Sequence, residues 1–442
     1  MVLILRIFGQ VTLGMFTADF KSEPYWWERT PRPNFPVVDL PKAVDVAIVG
    51  SGYTGLNAAI QTARGGRSTL VLDAEDAGFG CSTRNGGQIS TSVKPSLAEL
   101  TKKYGLEIAF AIRREGHTAL DWIAAFIRDE GIDCDFKVPG RFHAAHNARA
   151  FDKLVREVTN QPDGLEVPYQ IVARQDQRQE LGTDAYHGGV VFENHASLEP
   201  ARFHQGLLDL ATRAGAQIAP RTRVDNVERT GDGFVLRTAR GDVRARDVVI
   251  ATNGYTGALT PWLRRRVIPI GSYVIATEPL EPALMDRLMP SDRIVSDSRT
   301  VVYYYRPSPD RRRIVFGGRV SSGEIDTRVS GMRLKRDLDR LFPELSATKI
   351  SHSWMGFVAY TFDTMANVGK RDGMHYAMGY CGSGVSMASY LGMRVGQQIL
   401  GLPEGRTAFD KVPFSTRPLY SGRPWFLPAS VAWHRLVDRM GF

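Results

Sequence analysis

Four stretches hold most of the residues in this chain whose types and spacing could do chemistry. The first is Gly50-Ser51-Gly52-Tyr53-Thr54-Gly55. It follows the apolar run Val44–Val49 and leads into a helical pattern from Thr54 to Arg64, the context in which a GxGxxG string cradles a pyrophosphate. Gly50 permits the tight turn, Gly52 lets the backbone approach the phosphates, and Gly55 lets the helix pack on the strand. The free N–H groups of the helix N-terminus, with Tyr53 and Thr54, then face the phosphate charge. About 20 residues on, Asp73 and Ala74 close the run TLVLDA, where a carboxylate binds ribose hydroxyls.

The second stretch, Gly78–Gln88 (GFGCSTRNGGQ), decides between two dinucleotides. An NAD dehydrogenase has no particular use for a second polar glycine loop after its second strand. FAD is longer, and its ring system must cross towards a substrate domain. Ser82, Thr83, Arg84, Asn85, Gly86, Gly87 and Gln88 are small or hydrogen-bonding, so they suit a backbone lying along a ribityl chain. The third stretch, Val248–Gly254, is a strand ending in Thr252, Asn253 and Gly254, which would approach the nucleotide beside the first turn. Val224 could pack its backbone on adenine. The fourth, Gly379–Val385, precedes another helix, and Gly382, Ser383, Gly384 and Val385 would place its N-terminus against the negative edge of a reduced flavin.

The substrate side is less sharply marked. Tyr303 and Tyr305 share one face of a predicted strand, with Tyr304 and Arg306 on the other, and one face must be packing. Arg306 and Arg319 are candidate anchors for a carboxylate or phosphonate. Tyr303 joins them as a candidate substrate contact. His352, Trp354 and Tyr305 are the candidates for walling the reaction site or acting in catalysis.

These residues need elements to hold them. Val44–Val49, Thr54–Arg64 and Ser68–Leu72 read as β-α-β, the opening of a parallel sheet. Long helical patterns occupy Glu107–Glu130, Ala148–Val158, Leu198–Ala214, Gly331–Phe342 and Ser386–Ile399, and Phe136–His146 alternates like a strand. Gln217–Val227, Gly233–Thr238 and Val248–Ala251 form a meander returning to the parallel sheet, and residues 266–320 read as an antiparallel sheet. The Pro- and aromatic-rich residues 17–43 read as an extended lead-in rather than a packed element. The expected architecture is α/β with an α+β second domain. Its FAD domain would comprise 44–115, 190–260 and 350–405, its substrate domain 116–189 and 261–349, with a lead-in at 1–43 and a tail at 406–442.

Composition narrows the class. The 442 residues carry a net charge of +9, and 43% are hydrophobic, near a soluble average. No run reaches a membrane-spanning length, and Met1–Phe16 is broken by Arg6 and Gln10, a poor secretory signal. Three dispersed cysteines suit a reducing cytoplasm, and neither they nor the nine histidines suggest a metal site. The arginine triplets at 264–266 and 311–313 lack interleaved aromatics, so nucleic acid is not an expected partner.

Taken together, YWWERTPRPNFP, VAIVGSGYTGLNAA, GFGCSTRNGGQ, IATNGYTG, SYVIATEPL, YYYRPSPDRRRIVFGGR and TRPLYSGRPWFLP resemble the D-amino-acid oxidase (DAO) superfamily of FAD-dependent oxidoreductases, on the branch of γ-glutamylputrescine oxidase-like enzymes. The resemblance runs from about Tyr25 to Pro428. It implies a Rossmann-type FAD domain with an inserted antiparallel-sheet substrate domain. It also implies hydride transfer from a C–N carbon of a small amine or amino acid to flavin N5, with the imine hydrolysing to a carbonyl product. Reoxidation by oxygen is the first expectation; a dehydrogenase passing electrons to a quinone or carrier is the alternative, and a tRNA-modifying flavoprotein a rival of another class. Three departures stand out. Ser383 occupies the place of a histidine common in relatives. Phe357–Thr361 lacks the cysteine that tethers flavin in sarcosine-oxidase-like relatives, so FAD is expected to bind non-covalently. Pro269–Tyr273 lacks their oxygen-activating lysine.

Overall fold

The computed structural model describes residues 14–36, 39–91, 93–318 and 325–440. Arg319, one of the candidate anchors, lies outside the described residues, as does Met1–Leu13. Two sheets organise the chain. The smaller has a parallel centre in the order Gln217–Ala219, Thr69–Leu72, Ala43–Val49 and Gly241–Ile250, with Met374–Met378 also parallel to the last strand. Its central strand turns wholly apolar from Val46 to Val49 because both faces are covered there: Val46, Ala47 and Ile48 are fully buried. The run Gln217–Val227, expected as one meander strand, is two: Gln217–Ala219 joins the parallel centre, and Val224–Thr230, Gly233–Thr238 and Gly241–Ile250 form the meander that returns to it.

The helix Tyr53–Arg64 packs under Gly384–Ile399, and glycines set the approach. A Cβ on Gly396 would stand 2.9 Å from the Ala58 carbonyl oxygen, and one on Gly392 would overlap the Thr54 main chain. The two helices that begin at the glycine loops are thereby locked side by side.

The larger sheet has nine strands in the order Phe16–Lys21, Ile350–Tyr360, Ile268–Thr277, Ile314–Gly318, Tyr304–Pro307, Ile294–Asp297, Arg141–Ala144, Gly189–Phe192 and Tyr169–Val172. It is largely antiparallel; the pairs Phe16–Lys21 with Ile350–Tyr360 and Arg141–Ala144 with Ile294–Asp297 are parallel. Ile350–Tyr360 pairs along its length with Ile268–Thr277, so this strand of the expected segment 350–405 is part of the large sheet.

The lead-in differs from the sequence expectation. Phe16–Lys21 is a strand and Tyr25–Arg29 a short helix whose Tyr25, Trp26 and Trp27 are all buried. Periodicity cannot register so short an element; its reason is tertiary, and it appears at the loop these tryptophans hold. Leu97–Tyr104, closed by a Ser96–Glu99 capping box, and Leu427–Met440 are further helices absent from the sequence reading. The arginine triplets serve the fold: Arg266 donates to the Phe414 carbonyl and lies over Trp262, while Arg311 pairs with Asp286 and Asp292. Among the described residues no helix is long and apolar enough to cross a membrane, and no group of three or more potential ligands could hold a metal ion.

Candidate active site

At the first glycine turn the chain has no room for side chains. Gly50 has φ of +109°, and a Cβ there would come 2.9 Å from the Ala251 carbonyl oxygen. A Cβ on Gly55 would collide with the Gly50 carbonyl oxygen and stand 3.2 Å from Ile48 Cγ2. Gly55 therefore lies beneath the turn, while Gly50 and Gly52 form the wall of an open cleft of about 380 Å³. Tyr53, Thr54, Asp73, Ala74, Ser82, Val224, Thr252 and Asn253 line the same cleft.

Asp73 fastens the turn. Its Oδ2 accepts from the Ser51 amide (2.8 Å) and hydroxyl (2.6 Å), and its Oδ1 accepts from the Glu75 amide (3.1 Å). Burial nevertheless pushes its carboxyl above the ordinary range. His204, unremarked in sequence, holds the other side: its Nε2 lies 2.7 Å from the Ser51 carbonyl oxygen, and burial drives its pKa down to about 4. It is a neutral donor.

The Gly78–Gln88 loop is held by three indoles. Trp27 Nε1 donates to Thr83 Oγ1 (2.8 Å), Trp354 Nε1 to the Arg84 carbonyl (2.9 Å) and Trp26 Nε1 to the Asn85 carbonyl (2.9 Å). Within the loop Asn85 donates to the Ser82 carbonyl and accepts from the Gly87 amide, while Ser82 Oγ accepts from the Tyr53 amide at 3.0 Å. Ser82, Arg84, Asn85, Gly86 and Gln88 line a second, larger cavity of about 830 Å³; Thr83 and Gly87 are structural, Gly87 against the Leu198 carbonyl oxygen. Gly382, Ser383, Gly384 and Val385 line this second cavity too, at the start of the 16-residue helix Gly384–Ile399. Gly254 instead abuts the Phe357 main chain.

The two cavities share Tyr53, Cys81, Ser82, Asn253, Tyr380 and Ala388, so they form one continuous channel. Its floor is the large sheet: Gly356 and Val358, Ile270 and Ser272, Tyr304, Ser296, and then Arg141 and His143 come from successive parts of it. Tyr304 lies flat on this floor because the neighbouring strand offers Gly317, and its hydroxyl is 2.9 Å from Ser272 Oγ.

The candidates chosen from sequence for the substrate side fall elsewhere. Tyr305 is fully buried against Phe316 and Phe342, donating to Tyr186 at 3.3 Å. Tyr303 packs on Phe316 beside Arg299. Arg306 is buried and donates to the main-chain oxygens of Gly87, Leu198 and Pro307. Trp354 holds the loop from behind. His352 lies between Ser351 and Glu28, with its pKa pulled down to about 4 by burial. None of these five lines the channel. The alternation of the strand was correct, but it could not say which face is the core. Tyr304 was legible only as the residue opposite Tyr303 and Tyr305. Arg141 and His143 had one signal, two basic side chains two apart in a short strand.

The profile of the DAO family, described as FAD dependent oxidoreductase, matches residues 45–398. The chain belongs to this family. A probable oxidoreductase OrdL of Rhizobium meliloti (strain 1021) is 31% identical over 94% of this chain and 97% of its own. Gamma-glutamylputrescine oxidoreductase of Escherichia coli (strain K12) is 30% identical over 90% of this chain and 93% of its own. Among solved structures, glycine oxidase from Geobacillus kaustophilus superposes with a TM-score of 0.72 at 21% identity, over 86% of this chain and 99% of that one. FAD is therefore the cofactor of this oxidoreductase. The residues fit it: a side-chain-free turn and a helix N-terminus for the pyrophosphate, a carboxyl for the ribose, and a channel continuing past the loop to a second helix N-terminus.

Proposed function

We propose that this flavoenzyme oxidises the C–N bond of a small amine or amino acid, giving an imine that water converts to a carbonyl compound and a free amine. The observation that carries the reading is the single channel from the nucleotide cleft into a chamber with a polar floor and apolar walls (Leu154, Val158, Leu165, Phe192). The names of the relatives, an amine oxidoreductase and a glycine oxidase, support the same class. FAD bound here would accept the hydride removed from the carbon, which carries both electrons of the oxidation.

The chain's own contribution is to bind, orient and deprotonate. A substrate ammonium must lose its proton before the carbon can release hydride. Arg84, Lys94, Arg113, Arg141 and Arg299 line the chamber against Glu157 and Asp297, and Asp297 is paired with Arg299. An amine brought among these cations and out of water is shifted towards its neutral form. His143 shows the same field: burial, then Arg141, push its pKa down to about 3. Tyr304 and Ser272 supply the hydroxyls that orient the substrate on the floor.

Anaerobic mixing of the FAD-loaded protein with a panel of amines and amino acids tests this reading. Bleaching of the visible flavin band by one class, with stoichiometric carbonyl product, is the expected result. Rapid recolouring in air with peroxide would assign oxygen as acceptor; slow recolouring would assign a carrier or quinone, in keeping with a Pro269–Tyr273 segment that holds no lysine. A flavin that no member of the panel reduces would refute the proposal.

A further inference from the structure

We infer that the helix Leu427–Met440, with the basic segment leading into it, docks on the surface of an anionic lipid bilayer, lying in the headgroup region without crossing it. Such docking is independent of the proposed amine oxidation. Three observations carry it.

The first is that this helix has two apolar stripes and the fold uses one. Leu427 and Val431, on one face, pack with Ile268 and Ile270 of the large sheet and with Tyr420. On the same face Asp438 accepts from the Thr300 and Val301 amides, both at 3.0 Å, and Thr300 lines the chamber. The helix is therefore held to the body from its first turn to its last. Ala429, Ala432, Trp433 and Leu436 recur at helical spacing on the opposite face, and all four are exposed, Trp433 at 61% and Leu436 at 48%. Single exposed apolar side chains are ordinary, whereas a stripe marks a contact surface.

The second is the placing of the tryptophans. Of the seven in the chain, Trp425, at 71%, and Trp433 are the exposed ones, and both belong to this segment; Leu419 ahead of them is 89% exposed. Trp425 stands edge-on to Phe426, which packs in turn against Phe362 and Tyr420, so its ring is presented from a fixed aromatic base. An indole joins an apolar body to one N–H donor, which suits the boundary where hydrocarbon meets hydrated headgroups.

The third is charge, which selects the occupant. Between Asp410 and Asp438 the sequence holds no acidic residue and carries Lys411, Arg417, Arg423 and Arg435. Lys411, Arg417 and Arg423 are exposed, and the exposed Arg265 donates to the Tyr420 carbonyl, bringing a further cation against the segment. Lipid phosphates pair with such cations while the apolar stripe enters the boundary, the arrangement of a helix that lies in the interface. A second copy of the chain suits this face poorly. A two-fold contact sets one surface against itself, so these cations would meet their own counterparts with no acid in the segment to pair them.

The test uses the full FAD-loaded chain with vesicles of phosphatidylcholine, alone or with about 30% phosphatidylglycerol. The protein should sediment with the anionic vesicles and not with the neutral ones, and added salt should release it. Trp433→Ser combined with Leu436→Ser should weaken binding by about 10-fold or more, and Arg417→Gln combined with Arg423→Gln by roughly 20- to 30-fold. Brominated phosphatidylcholine in the anionic vesicles should quench the native tryptophan emission. That quenching should vanish in Trp425→Phe combined with Trp433→Phe, which stays bound. FAD content and melting temperature identify a folding defect; where the serine pair fails them, the phenylalanine pair decides. No binding to anionic vesicles, or equal binding by native protein and both weakened variants, would overturn the inference. So would a native dimer that ignores vesicles and that the serine pair converts to monomer, which would assign the face to a second copy.

Discussion

Gly317→Ala is a small change with a calculable consequence. The ring of Tyr304 lies directly over Gly317, its register partner on the next strand, and Gly86 of the flavin loop lies beside the same ring. A methyl group on residue 317 would stand 2.6 Å from the Tyr304 hydroxyl oxygen and nearer still to Cζ and Cε2. Ordinary contact requires about 3.5–4.0 Å, so the ring must move by on the order of 1 Å. The methyl meets the ring at Cζ, Cε2 and the hydroxyl oxygen, so the hydroxyl end is what it displaces. The ring must swing aside and lose its bond to Ser272, about 1 kcal/mol, on top of an overpacking cost of about 1–3 kcal/mol. The expected loss is therefore about 2–4 kcal/mol in urea denaturation, with FAD retained because the nucleotide cleft is untouched, and with a raised KM for the best substrate. Introduced into a Tyr304→Ala background, Gly317→Ala should cost almost nothing, since the ring it displaces is gone. Equal destabilisation in both backgrounds would refute the reasoning.

Three further outcomes follow from the cofactor cleft. Gly55→Ala forces a methyl into the Gly50 carbonyl, and the purified protein should be colourless and fail to take up added FAD; a yellow variant would contradict the geometry. Trp27→Phe removes the N–H that holds Thr83, worth about 1 kcal/mol, and should raise the FAD dissociation constant by roughly fivefold in a fluorescence titration, with the fold intact by circular dichroism. His204 has a folded pKa of about 4 against an ordinary 6.5, so the unfolded chain takes up its proton first as pH falls. The stabilisation is complete above pH 6.5 and shrinks by about 3 kcal/mol as pH falls towards 4. His204→Gln, which keeps a donor for the Ser51 carbonyl, should flatten that limb of the stability–pH curve, and an unchanged slope would exclude the histidine as its source.

The nucleotide-binding half was legible because its constraints are local. Gly50, Gly52 and Gly55 act within one turn of chain, and Asp73 lies at the end of the adjacent strand, where it accepts from Ser51. The long helices were legible for the same reason, since periodicity over 12 or more residues reports one buried face, as in Tyr53–Arg64 and Leu106–Asp129. The short helix Tyr25–Arg29 was not, because its stability comes from tryptophans that find partners 56 and 59 residues away in the flavin loop.

What the amino-acid sequence determined by itself was therefore the dinucleotide turn and the alternation of the Tyr303–Arg306 strand, which depend on spacing along the chain that folding does not alter; the family came from the resemblance of whole motifs to known flavoproteins. Which face of a strand meets the substrate was decided only in three dimensions. Tyr303, Tyr305 and Arg306 satisfy every pattern a binding residue would, yet they are consumed by the core and by main-chain oxygens of Gly87 and Leu198. Tyr304, Ser272 and Arg141 are brought to one floor by a sheet whose strands come from distant parts of the chain. A period of two reports that faces alternate; only the layer packed against the sheet decides which is dry, and that layer is a property of the whole fold.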